Sequence, residues 1–154
     1  MELRQLVATV LGAFFGSMGW LLVGLFLSRR ASRFVARNAA RAVYFELDLN
    51  RVSVGLARDY GTFTPLSRSA YERLLPELAT ILGVKDLSVL AAAYMAHIGY
   101  EQMRQSREQS SEAREAALSG ILAAQERALA SLRGIAFTAP EQAQLATVAS
   151  GDTG

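Results

Sequence analysis

The 154-residue chain contains no cysteine. This excludes disulfides, thiolate metal sites and cysteine nucleophiles. Histidine occurs once, at His97, and lysine once, at Lys85; the other 15 of the 16 basic residues are arginine. Proline is limited to Pro65, Pro76 and Pro140, so few positions interrupt a helix. The net charge of +2 is too small to point to nucleic acid, and no nucleic-acid partner is expected. Nucleophile-elbow, P-loop and dinucleotide-binding signatures are missing.

What the chain does have is a run of 22 residues without a charge, Leu6 to Leu27, followed at once by Ser28-Arg29-Arg30. At about 1.5 Å per residue such a helix covers a hydrocarbon core of roughly 30 Å. A cleaved signal peptide fits poorly, because its apolar region spans only about 7–15 residues and ends in small residues. The run therefore predicts a transmembrane helix. Arg29, Arg30, Arg33, Arg37 and Arg41 follow it, whereas only Glu2 and Arg4 precede it. Basic residues stay on the cytoplasmic side. The expected localisation is a single-pass protein of the cell inner membrane, N-terminus out, C-terminal part cytoplasmic.

The expected organisation is an anchor over 1–28, a cytoplasmic helical bundle over 29–136 and a disordered tail over 137–154. Nothing between Ser28 and Val54 breaks a helix, so the anchor should continue into the bundle. Val35, Ala42, Phe45, Leu49, Val52 and Leu56 recur at spacings that place them on one helical face. A strand pair around Asn50-Arg51 competes for 43–56, but that turn lacks the usual Asn-Gly or Asp-Gly. Gly61 and Pro65 mark a turn. Ser69 and Glu72 match a capping box, followed by a helix to about Leu82 that Pro76 should kink or restart. Gly83 suits a C-terminal cap and Asp86 the cap of the next helix, which carries Leu87, Leu90, Ala91, Tyr94 and Ile98. Residues 102–115 are nearly all polar and read either as helix or as a turn at Ser110-Ser111. Leu118, Ile121, Leu122, Leu129 and Leu132 form the last apolar stripe. The fold class is all-α: a transmembrane helix continuing into a bundle of three to four helices.

Ala8, Gly12 and Gly16 are spaced by four, a pattern that lets helices approach closely in lipid. They are the candidate helix–helix contact, with a homo-oligomer or a membrane protein as partner. Arg29, Arg30, Arg33 and Arg37 are the candidate surface for anionic lipid headgroups. Glu46 and Asn50, four apart, are candidate buried polar residues that fix the register of the bundle. His97 with Glu101 gives a single H-x-x-x-E, whereas a bundle metal site draws Glu-x-x-His pairs from more than one helix. No catalytic, cofactor or metal site is expected.

An N-terminal anchor, an E-x-x-x-N helix (Glu46 to Asn50) and a later apolar stretch closed by tyrosine (Leu90 to Tyr94) make the order of features from Leu6 to Tyr94 resemble a class of short bacterial single-pass membrane proteins. The resemblance implies a helical cytoplasmic bundle and carries no activity. The expected function is that of an interaction protein: an adaptor, a regulator or an accessory subunit of a membrane complex. The competing expectation is a small self-assembling pore or lesion former of the holin kind.

Overall fold

In the computed structural model the backbone is described for residues 3–105 and 110–149, and side chains for 18–105 and 110–146. Five helices and no strand occur among the described residues: α1 Leu3–Tyr60, α2 Ser69–Leu78, α3 Val84–Gln105, α4 Ser111–Ala136 and α5 Ala139–Ala149. The chain divides into two units, Met1–Val35 and Ala36–Gly154.

In the first unit α1 is exposed at every residue from Met18 to Val35. Trp20, at 81% exposure, and Leu21, Leu22, Val23, Leu25, Phe26 and Leu27 have no covering neighbour. Among the described residues no helix is long and apolar enough to cross a membrane. That finding overturns the expected single-pass inner-membrane localisation. Ala8, Gly12 and Gly16 lie outside the residues whose side chains are described.

The second unit is a helical bundle. Residues 43–56 are helix rather than hairpin. The helix buries Ala36, Ala40, Val43, Leu47, Asn50, Val54 and Ala57, an alternation of four and three. The stripe Ala42, Phe45, Leu49, Val52 and Leu56 lies on the opposite side, exposed. α1 thus carries two apolar stripes, and the bundle takes the one with small side chains and polar groups. Ala36, Ala39 and Ala40 allow close approach of neighbouring helices, and Asn50 finds partners only on this side.

The core has two parts. One gathers Val43, Tyr44 and Leu47 of α1 with Leu78, Leu90, Tyr94, Leu129, Leu132 and Phe137. The other gathers Val54, Ala57, Tyr100, Met103, Leu118 and Ile121. α3 and α4 pack along each other. Gly61, at φ 68°, ends α1 in the left-handed conformation, and its N–H donates to the Ala57 carbonyl at 3.1 Å.

Three local expectations are corrected. α2 has no capping box: its N-cap is Arg68, which makes no side-chain cap, and the free amides are taken by a residue of α1. Pro76 sits inside α2, which closes at Leu78 rather than near Leu82. The stretch from 137 expected to be disordered carries α5, opened at Thr138-Ala-Pro-Glu141, where the Glu141 carboxylate reaches back and Thr138 N–H and Oγ both donate to its Oε2 (2.7 and 2.8 Å), one half of a capping box. In the polar stretch α3 continues to Gln105 and α4 starts after Ser110, whose Oγ accepts from Ala113 N–H.

Candidate functional site

Glu46 and Asn50 lie one turn apart on α1, buried against the Gly61–Arg68 connection and the start of α2. The Glu46 carboxylate accepts five hydrogen bonds. Ser67 Oγ donates at 2.7 Å, Ser69 Oγ at 3.2 Å, Ala70 N–H at 2.8 Å and Tyr71 N–H at 3.2 Å. The fifth is Tyr94 O–H from α3, at 2.8 Å. A carboxylate at a helix N-terminus meets both free amides and the positive end of the helix dipole. Burial pushes the Glu46 pKa up, but the bonds from Ala70, Ser67, Tyr94 and Tyr71 outweigh it, and the net shift is downward. Glu46 is therefore ionised at neutral pH. The same contact, with burial as the larger cause, raises the Tyr94 hydroxyl far above its ordinary value and keeps it a donor.

Asn50 and Tyr100 hold the connection at two peptides. Asn50 Nδ2 donates to the Ser67 carbonyl at 2.7 Å, and Ser67 N–H donates back to Oδ1 at 2.9 Å. Tyr100 O–H donates to the Thr64 carbonyl at 3.0 Å and accepts from Thr64 N–H at 3.2 Å. The Tyr71 and Tyr94 rings stack 4.1 Å apart at 11°, joining α2 to α3 above the Glu46 carboxylate.

His97, edge-on to Tyr94 at 5.0 Å, lies on the same side of α3 and faces Gln125 of α4. Both are buried, at 2% and 0% exposure. Gln125 Nε2 is 3.1 Å from His97 Nε2. An amide nitrogen cannot accept, so the imidazole accepts at Nε2 and carries its proton on Nδ1. Neither Nδ1 nor Gln125 Oε1 has a hydrogen-bond partner. Burial, with a smaller push from Arg68, lowers the His97 pKa to about 4, against opposing pulls from Glu46 and Glu101. His97 is neutral at pH 7.

The Glu46 carboxylate is met by Tyr94 and by residues of the 67–71 segment, and the Asn50 amide by the Ser67 backbone. Among the described residues no group of three His, Asp or Glu could hold a metal ion. A second polar place, a cleft of about 280 Å³ between α1 and α4, is lined by Tyr44, Asp48, Arg51, Glu126 and Arg133. Asp48 pairs with Arg51 at 2.9 Å and Arg133 Nη2 donates to Tyr44 O–H at 3.1 Å, so its charges largely answer each other.

Of the residues singled out in the sequence, Glu46 and Asn50 come together at the buried centre. Arg29, Arg30, Arg33 and Arg37 are exposed and make no ion pair among the described residues. Ser67, Tyr71 and Gln125 carried no sequence signal: each gains its role from partners 17 or more positions away. No family model, curated protein or solved structure matches the chain.

Proposed function

We propose that the protein works by association, as a helical adaptor, regulator or accessory subunit. The observation that carries this reading is the stripe on α1. Phe45, Leu49, Val52 and Leu56 stay 49, 71, 51 and 41% exposed, in one line, on a helix whose opposite side is fully packed. Single exposed apolar residues are ordinary, whereas contiguous apolar patches mark places where something docks. The buried centre supports the same reading. It fixes α1 rigidly against α2 and α3, so the stripe is presented on a preorganised surface, which lowers the entropic cost of binding.

The test is site-specific photocrosslinking in the full chain. A photoreactive residue in place of Leu49 is expected to give discrete adducts, while one in place of Glu72, an exposed position on α2, gives none. Equal labelling from both positions refutes docking at the stripe.

A further inference from the structure

Charge is unevenly distributed along the chain. Residues 3–45 hold six arginines and no acid, whereas from Glu46 onward 13 acids outnumber ten basic residues. Three of those arginines, Arg29, Arg30 and Arg33, lie in the first unit, directly after its apolar run.

From Trp20 to Leu27 every residue but Gly24 is a large apolar side chain more than half exposed. Eight successive residues of a helix point to all of its sides. A groove in a protein covers one side of a helix, whereas lipid meets side chains at every angle. At 100° per residue the three arginines fall within about 100° of one another, and Phe26 lies in the middle of that arc one turn earlier. These four side chains line a concavity of about 320 Å³. None of the three guanidinium groups makes an ion pair among the described residues. Nearby Ser32 turns its Oγ back to the Ser28 carbonyl at 3.0 Å.

We infer that the first unit docks on an anionic phospholipid surface. Arg29, Arg30 and Arg33 take headgroup phosphates at the concavity beside Phe26, and Trp20 to Leu27 enter the acyl region of the same leaflet. A guanidinium fork binds two phosphate oxygens at once, and near-surface arginines are drawn to anionic leaflets. Phe26 gives the first acyl carbons an apolar wall below the phosphate. Amphipathic anchors combine these two attractions while staying on one leaflet, so the contact requires no span. A nucleic acid would meet the same arginines but leave seven large apolar side chains in water. The lipid contact lies in a different unit from the Phe45–Leu56 stripe, so it and the association reading stand or fall separately.

Trp20 is the only tryptophan, so its emission reports this contact directly. The full chain is titrated with vesicles of phosphatidylcholine containing phosphatidylglycerol, and with phosphatidylcholine alone. On the anionic vesicles Trp20 emission is expected to shift to the blue and to be quenched by brominated acyl chains. Replacing Arg29, Arg30 and Arg33 together by Gln should weaken that binding on the order of a hundredfold, about fivefold per arginine. Replacing all three by Lys, which keeps the charge, should restore it to within about tenfold, and a circular dichroism spectrum unchanged in both variants excludes loss of the helix. Equal affinity for the two kinds of vesicle, or a Gln variant that binds as the parent does, overturns the headgroup contact. Binding to a nucleic acid oligonucleotide with no response of Trp20 to anionic vesicles overturns the lipid surface as partner.

Discussion

Asn50 grips both polar atoms of Ser67, its amide nitrogen on the carbonyl at 2.7 Å and its amide oxygen on the N–H at 2.9 Å. The side chain imitates the edge of a strand and satisfies a connection that has no regular partner of its own. With Tyr100 doing the same at Thr64, the eight residues between α1 and α2 are held at two peptides. The bundle therefore depends on a few side chains on α1 and α3 that complete the backbone of another segment.

Asn50→Asp tests this. Aspartate keeps the acceptor for Ser67 N–H and loses the donor, leaving the Ser67 carbonyl unpaired with a second negative charge one turn from Glu46. An unpaired buried polar group costs about 1–3 kcal/mol. Asn50→Asp is expected to destabilise the bundle by about 2–3 kcal/mol, and Asn50→Ala by a similar amount, read as a lower urea midpoint at unchanged slope. A midpoint that stays within error would show that Ser67 is held by other means.

Glu46→Gln removes the charge at the start of α2 and turns one acceptor oxygen into a donor facing donors. A loss of about 2–3 kcal/mol at pH 7 is expected, with α2 the first segment to exchange its amide hydrogens. The pH dependence separates charge from shape. The Glu46 pKa is lower in the folded chain than its ordinary 4.5, so its stabilisation is complete above about pH 4.5 and is lost as pH falls through the folded value. Glu46→Gln should flatten the stability curve in that acid window. An unchanged acid limb would assign the loss to other carboxylates.

Several elements were legible because a short-range pattern dictates them. The 3–4 spacing through residues 35–56 specified a helix, and Glu46 and Asn50, four apart, fell on one face of it. Spacing alone did not say which face the bundle would bury. Apolarity favoured Phe45, Leu49 and Val52, but the packed side is the one with alanines and the two polar residues, because its partners lie 17–48 positions away. Ser69 and Glu72 misled for the same reason: the capping-box spacing is there, but a buried carboxylate from α1 reaches the same amides first. Thr138 and Glu141 have the same spacing, but the tail around them lacks an apolar period that would signal a helix. α5 is instead fixed by Arg41, whose Nε donates to the Ala136 carbonyl at 2.8 Å and whose Nη2 meets Glu141 at 2.6 Å.

That attachment gives a local prediction. The Arg41–Glu141 pair is about one-third exposed, so the charge pair by itself contributes little, and the bond to Ala136 adds direction. Arg41→Leu is expected to cost the whole bundle no more than about 1 kcal/mol while releasing α5 selectively. Hydrogen exchange should rise by about tenfold at residues 139–146 and stay unchanged in α3. Uniform acceleration across all helices would mean that α5 belongs to the cooperative core.

His97 sets the response to mild acid. Its pKa is about 4 in the folded chain and 6.5 when free, so between these values the unfolded chain binds a proton that the folded chain refuses. Stability is full above pH 6.5, declines as pH falls toward 4 and is not reduced further by this group below that. With the ring 2% exposed, solvent screening is small, and the decline amounts to about 3 kcal/mol at roughly 1.4 kcal/mol per tenfold change in proton affinity. Protonation also removes the Nε2 acceptor that Gln125 uses. His97→Leu strips Gln125 of that partner and lowers stability at pH 7, yet it should abolish the slope between pH 6.5 and 4.5, where Glu46 does not titrate. Urea midpoints of the two chains across that range decide the matter: converging curves locate the proton at His97, and parallel ones place it elsewhere.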